Sequence, residues 1–98
     1  MELHRSKSES ASHEQVTLNV GGQLFRTTLQ TLLRDNTYFP EHMHALKKTT
    51  LFIDRNPASF VQILDRLRGY PIDLASLDAA LRTKVEADLL YFGIAKKI

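Results

Sequence analysis

Val16-Thr17-Leu18-Asn19-Val20-Gly21-Gly22-Gln23-Leu24-Phe25-Arg26-Thr27-Thr28 reads as a β-hairpin, and the rest of the chain is interpreted outward from it. Val16, Leu18 and Val20 alternate with Thr17 and Asn19, the period of a strand with one buried face. Gly21-Gly22 can take positive φ at both positions of a two-residue turn, and Leu24 to Thr28 returns as a second β-prone run. Paired glycines also occur in phosphate-binding loops. That chemistry needs wider glycine spacing, a following helix N-terminus and usually a Lys-Ser/Thr pair, so the turn is the better reading.

Upstream of the hairpin, residues 1–15 (MELHRSKSESASHEQ) are polar with almost nothing to bury, and are expected to form a disordered leader to a single domain over residues 16–98. Downstream, Leu29, Leu32 and Leu33 switch to helical spacing, and Asp35-Asn36 supplies a stop and a new cap. Tyr38 to Leu46 is expected as a second short helix with Pro40 in its first turn, and Thr50 to Asp54 as a third strand. Asn56-Pro57 is the clearest helix start, because Asn caps free amides and Pro arrives with its φ already set. Phe60, Ile63, Leu64 and Leu67 then repeat on one face up to a stop at Gly69. Asp73 and Ser76 are expected to cap a short helix through Leu77 and Leu81. Thr83-Lys84-Val85-Glu86 has the form of a capping box, which predicts a last helix from about residue 84 to Phe92, stopped by Gly93. The layout is α+β, and three strands need helices packed on them to be stable.

A chain of 98 residues holds one core, and a core of that size leaves little margin of stability. The absence of cysteine removes disulfides, thiolate zinc sites and a cysteine nucleophile, so self-association is the reinforcement that remains. No apolar run is long enough to span a bilayer and no signal peptide is evident, which points to the cytoplasm and to no direct membrane contact. Thirteen Lys and Arg against eleven Asp and Glu leave a net charge of +2, without the basic stripe or interleaved aromatics of a nucleic-acid binder. His42 and His44 lie on different helical faces with no third ligand close in sequence, so no metal or other cofactor is expected. Asp54-Arg55 has no second carboxylate or nucleophile in a recognisable arrangement, and no triad or nucleotide motif emerges elsewhere, which argues against an enzyme. For that pair two structural readings stay open: a locally bonded Asp beside a solvated Arg, or a contact across a subunit interface.

The run Val16 to Thr28 followed by Leu29-Gln-Thr-Leu resembles the opening of the potassium-channel tetramerisation (KCTD-like) branch of BTB/POZ domains. Phe52-Ile-Asp-Arg-Asn-Pro-Ala-Ser-Phe, Ile63-Leu-Asp-Arg-Leu-Arg-Gly and Glu86-Ala-Asp-Leu-Leu-Tyr-Phe-Gly-Ile look like its remaining signatures, in the family's order. The resemblance implies a three-stranded sheet packed with about five short helices, and assembly into homo-tetrameric or homo-pentameric rings that organise attached domains. Some members are the assembly domains of potassium-channel subunits, and others are adaptors that recruit a cullin ubiquitin-ligase scaffold; residues beyond Ile98 would separate the two. The intersubunit zinc of several channel branches needs cysteines that are absent here. Where adaptors often carry a Phe-Ser-Gly-Arg-like loop, residues 41–49 read EHMHALKKT, which weakens the cullin alternative. The family's subunit contact is comparatively polar and uses the outward sheet face with neighbouring loops. Thr17, Asn19, Arg26, Thr28, Asp54 and Arg55 are accordingly the expected interface, and Tyr38, Phe39 and His42 the expected docking surface for another partner.

Overall fold

The computed structural model describes residues 13–95, so most of the expected leader over residues 1–15 lies outside the described residues. Strands β1 (Gln15–Val20) and β2 (Gln23–Thr28) form the hairpin, pairing Val20 with Gln23 across the two-glycine turn. Gly21 and Gly22 have φ of 57° and 100°, values that suit residues without a Cβ. The chain then runs through three short helices, α1 (Leu29–Leu32), α2 (Tyr38–Glu41) and α3 (Met43–Lys48), and returns as β3 (Leu51–Ile53). β3 lies parallel to β1, which gives the order β2-β1-β3. Helix α4 (Pro57–Leu67), a 3₁₀ turn (Leu74–Ser76) and helix α5 (Ala79–Phe92) complete an α+β fold with a three-stranded mixed sheet and five α-helices among the described residues.

The helix boundaries follow local chemistry. Thr28 caps α1, its hydroxyl accepting from the Thr31 amide at 3.2 Å. Asn36 does two jobs: its amide group donates to the carbonyls of Leu32 at 2.7 Å and Arg34 at 2.8 Å, while its Oδ1 accepts from the Phe39 amide. One side chain thereby ends α1 and starts α2. The single helix expected over Tyr38 to Leu46 is instead two, because the chain leaves helical geometry at His42 (φ −112°, ψ 17°). Asn56 caps α4 through the Ala58 amide at 2.8 Å, with Pro57 in the first turn.

The last helix departs most from expectation. It begins at Ala79, capped by Asp78, whose Oδ1 accepts from the Leu81 amide at 2.9 Å. Thr83 therefore sits inside the helix and donates to the Ala79 carbonyl at 3.0 Å, so the capping-box pattern there forms no cap. The short helix expected through Leu77 and Leu81 reduces to the 3₁₀ turn. Arg82 holds that turn from α5, donating to the carbonyls of Leu74 at 3.1 Å and Leu77 at 2.9 Å. Gly93 ends α5 in the left-handed region (φ 67°), as its position in the sequence predicts.

Val16, Leu18, Val20 and Ile53 turn one sheet face into the core, against Phe60, Ile63, Leu64 and Leu67 of α4 and Val85, Leu89 and Phe92 of α5. Phe25 meets Phe60 edge-on at 5.1 Å, and Phe39 stacks on Phe92 at 5.5 Å. The hairpin tip is fastened to the far strand by the Gly21 amide, which donates to the Ile53 carbonyl at 2.9 Å. A Cβ on Gly21 would lie 2.5 Å from the Arg55 carbonyl oxygen and 3.0 Å from the Pro57 ring. Gly21→Ala therefore combines backbone strain with displacement of the β3–α4 loop, and is expected to cost about 2–3 kcal/mol. Urea unfolding checks this, and an unchanged midpoint would refute the close approach.

Candidate subunit interface

The hairpin register decides which side chains face away from the core. Residues opposite one another share a face, so Gln15 with Thr28, Thr17 with Arg26 and Asn19 with Leu24 all project outward. Phe52 joins them from β3, where it pairs with Asn19. The structure thus gathers Thr17, Asn19, Arg26 and Thr28 on one face, as strand alternation predicts, and adds Leu24 and Phe52. These two stand 63% and 58% exposed, at the ends of a row that crosses the sheet as Leu24, Asn19, Phe52. A lone exposed leucine is ordinary; two large apolar groups in one row of a polar sheet face are not. The same alternation carries both residues.

The polar members differ in freedom. Asn19 is bound to the turn, its Oδ1 accepting from the Gly22 amide at 2.9 Å. Thr28 is occupied by its capping role and by a 3.1 Å hydrogen bond to the Thr31 hydroxyl. Arg26 is exposed, and no ion pair engages it among the described residues.

Asp54 and Arg55 part company. Asp54 is exposed at the end of β3, where the Arg55 amide donates to the Ile53 carbonyl at 2.9 Å and turns the chain tightly around it. Arg55 points into the fold instead. Its Nε and Nη2 donate to Oδ1 of Asp88 at 2.8 and 2.6 Å, and its guanidinium carbon lies 4.4 Å from the centre of the Tyr91 ring. Ser59 donates to the other Asp88 oxygen at 2.7 Å, so a carboxylate only 2% exposed has both oxygens satisfied. Neither a solvated Arg55 nor one reaching across an interface describes this geometry: the guanidinium is used within the chain. Asp88 lies 33 residues away in sequence, and no local pattern signals the pairing. Asp54 and Arg55 border an open groove of about 550 Å³, with Lys84 on its other side and Asp88 in its wall.

The expected docking trio is also divided. Phe39 is fully buried against Phe92 and belongs to the core, so it offers no docking surface. Tyr38 and His42 are half-buried and stacked on each other at 4.1 Å, with His42 Nδ1 donating to the Tyr38 carbonyl at 2.7 Å. Tyr38 also lies against Tyr91 at 5.3 Å. Burial, and secondarily the neighbouring Tyr91 phenol, pushes the Tyr38 hydroxyl from its ordinary 10.0 to about 12. Among the described residues no three His, Cys, Asp or Glu side chains gather in a metal-binding group, and no helix is long and apolar enough to cross a membrane.

Removing the guanidinium in Arg55→Ala strands a buried carboxylate and is expected to cost about 3 kcal/mol, because Ser59 alone cannot compensate it. Asp88→Asn, which keeps the shape, is expected to cost less, and Arg55→Lys to recover little, since one ammonium cannot reproduce the two-point contact. Urea midpoints of the three variants check the order. For Tyr38, the folded state holds the phenolic proton more tightly than the unfolded chain. Its contribution to stability is complete below about pH 10 and is lost as the pH rises toward 12. Phenolate absorbance should show a step near 12 in the native protein that is missing in Tyr38→Phe.

Comparison with known proteins agrees with this architecture. Residues 16–98 match the family described as BTB/POZ domain. The BTB/POZ domain-containing protein KCTD3 of Homo sapiens is 37% identical over 93 residues, which cover 87% of this chain and 11% of that protein. The BTB/POZ domain-containing protein At4g30940 of Arabidopsis thaliana is 41% identical over 63 residues, 58% of this chain and 14% of that protein. The chain thus spans only a small part of the length of either relative. With its hairpin, its parallel third strand and a family match running from Val16 onward, the chain belongs to the BTB/POZ domains of the potassium-channel tetramerisation type.

Proposed function

We propose that this domain is a homo-oligomerisation module whose copies associate through the outward sheet face into a cytoplasmic ring, and that the ring organises whatever domains are attached to it. Membership of a family whose domains generally mediate protein–protein interaction and self-association sets the class. The observation that carries the reading is the row of Leu24, Asn19 and Phe52, which leaves two large apolar side chains in water on a face otherwise made of Thr, Asn, Gln and Arg. Covering each would contribute on the order of 1.5–3 kcal/mol, while the surrounding polar groups would penalise a wrong register. The reading involves no catalysis: the buried carboxylate, Asp88, has its oxygens committed to Arg55 and Ser59.

The family's ring-forming behaviour favours four or five copies. Light scattering or native mass spectrometry at micromolar concentration is expected to show such a species, and a strict monomer would overturn the reading. Leu24→Glu and Phe52→Glu are expected to weaken association about tenfold or more while circular dichroism shows folded protomers. Wild-type assembly by both variants would remove the sheet face from the contact.

A further inference from the structure

Between α3 and β3 the chain runs Lys47-Lys48-Thr49-Thr50-Leu51, and Thr50 is the only Ser or Thr in the sequence with basic residues both two and three positions before it. Basic-directed protein kinases read that order by setting carboxylates of their cleft against the two upstream cations, with the substrate backbone extended. The local structure meets those needs. Lys47, Lys48, Thr49 and Thr50 are all exposed, and the ion pairs among the described residues use neither lysine. Thr49 is already extended (φ −159°, ψ 177°). On one side of it lies the last turn of a six-residue helix, tied to Thr49 by its amide donating to the Ala45 carbonyl at 3.1 Å, and on the other the first residue of an edge strand. Both are segments that open locally at small cost. Hydroxyls elsewhere are spent: Ser59 is buried on Asp88, Thr28 and Thr31 share the cap of α1, and Ser76 and Thr83 donate to backbone carbonyls. Among the described residues, no hydrogen bond engages the Thr50 side chain.

We infer that Thr50 is a phosphorylation site for a basic-directed Ser/Thr kinase, and that its phosphate weakens self-association of the domain. The second clause rests on the oligomerisation reading; the first does not. In the transfer, the Thr50 hydroxyl oxygen bonds to the γ-phosphorus of a nucleoside triphosphate as the bond to the bridging β-phosphate oxygen breaks. The hydroxyl proton passes to a carboxylate of the kinase, and the nucleoside diphosphate leaves. The product carries a charge of about −1.5 to −2 near neutral pH. The whole chain has a formal net charge of +2, so one phosphate nearly cancels it. Thr50 stands two residues before the exposed Phe52, within about 7 Å along the chain. Covering Phe52 would then require stripping water from a neighbouring dianion, and each added copy would bring another.

The test incubates the full chain with magnesium, ATP and the catalytic subunit of cyclic-AMP-dependent protein kinase, a basic-directed enzyme. Tandem mass spectrometry is expected to place a phosphoryl group on Thr50, in Thr49→Ala as in the wild type and not in Thr50→Ala. Replacing Lys47 and Lys48 together by Ala is expected to slow its appearance about tenfold or more. An unmodified Thr50, a phosphate on Thr49 in its place, or an unchanged rate without the lysines would each overturn the site. The phosphorylated chain is expected to keep its circular dichroism and to dissociate at a concentration about tenfold above the untreated one. Thr50→Ala treated with the same kinase is the control, since phosphate elsewhere in the chain would be present in both. Equal dissociation of the two treated proteins, or unfolding on modification, would overturn the effect on association while leaving the site. An untreated chain that is already monomeric would instead defeat the oligomerisation reading, and the phosphate on Thr50 would stand apart from it.

Discussion

The ion pair between Arg55 and Asp88 is the constraint on which the arrangement of this domain depends. It joins the start of α4 to the middle of α5 across 33 residues, and its carboxylate is taken almost wholly out of water. A buried charge is tolerable only when its hydrogen-bonding capacity is met, and here Ser59 meets what Arg55 leaves over. Because the Arg55 side chain is held from one side, its backbone is held too. The carbonyl of that residue faces Gly21 so closely that only glycine fits, which sets the hairpin tip against the β3–α4 loop. Helix, loop and hairpin are positioned by one residue, and the outward face inherits its geometry from them.

That outward face combines a solvated polar surface with two exposed apolar side chains. Its strand residues are mostly short and polar, two of them already engaged in keeping the hairpin turn and the first helix cap. Leu24 and Phe52 are the exceptions, and their separation by Asn19 prevents them from merging into one continuous apolar patch. Small separated apolar groups gain less from indiscriminate burial than a broad patch does, so in the proposed assembly polar complementarity would have more weight in choosing the partner.

Much of this was legible in the sequence wherever the cause was local. The alternation from Val16, the paired glycines and Asn56-Pro57 each act within a few residues, and each produced the element it predicts. The outward direction of Thr17, Asn19 and Arg26 followed from strand period alone. Pattern misplaced the start of α5: Thr83 has the form of a cap, but Asp78 one turn earlier supplies it, and Arg82 ties the preceding turn to the helix. The pairing of Arg55 with Asp88 and the burial of Phe39 against Phe92 depend on helices that meet only after folding, so no spacing rule reaches them. Leu24 and Phe52 fall between these cases, since their face is readable but their exposure depends on how little of the sheet the helices cover.

The parallel pairing of β1 with β3 has a kinetic consequence. The hairpin closes over two residues and needs only local search, on the order of microseconds. The third strand must wait for the three helices of the crossover, because closing a longer loop costs entropy before any strand contact repays it. Phe52 and the Asp54 side of the sheet are thus delivered after Arg26 is already in place. In the assembly proposed for this face, a nascent chain would display one half of the contact early and the other only on completion, so that association would wait for the finished fold.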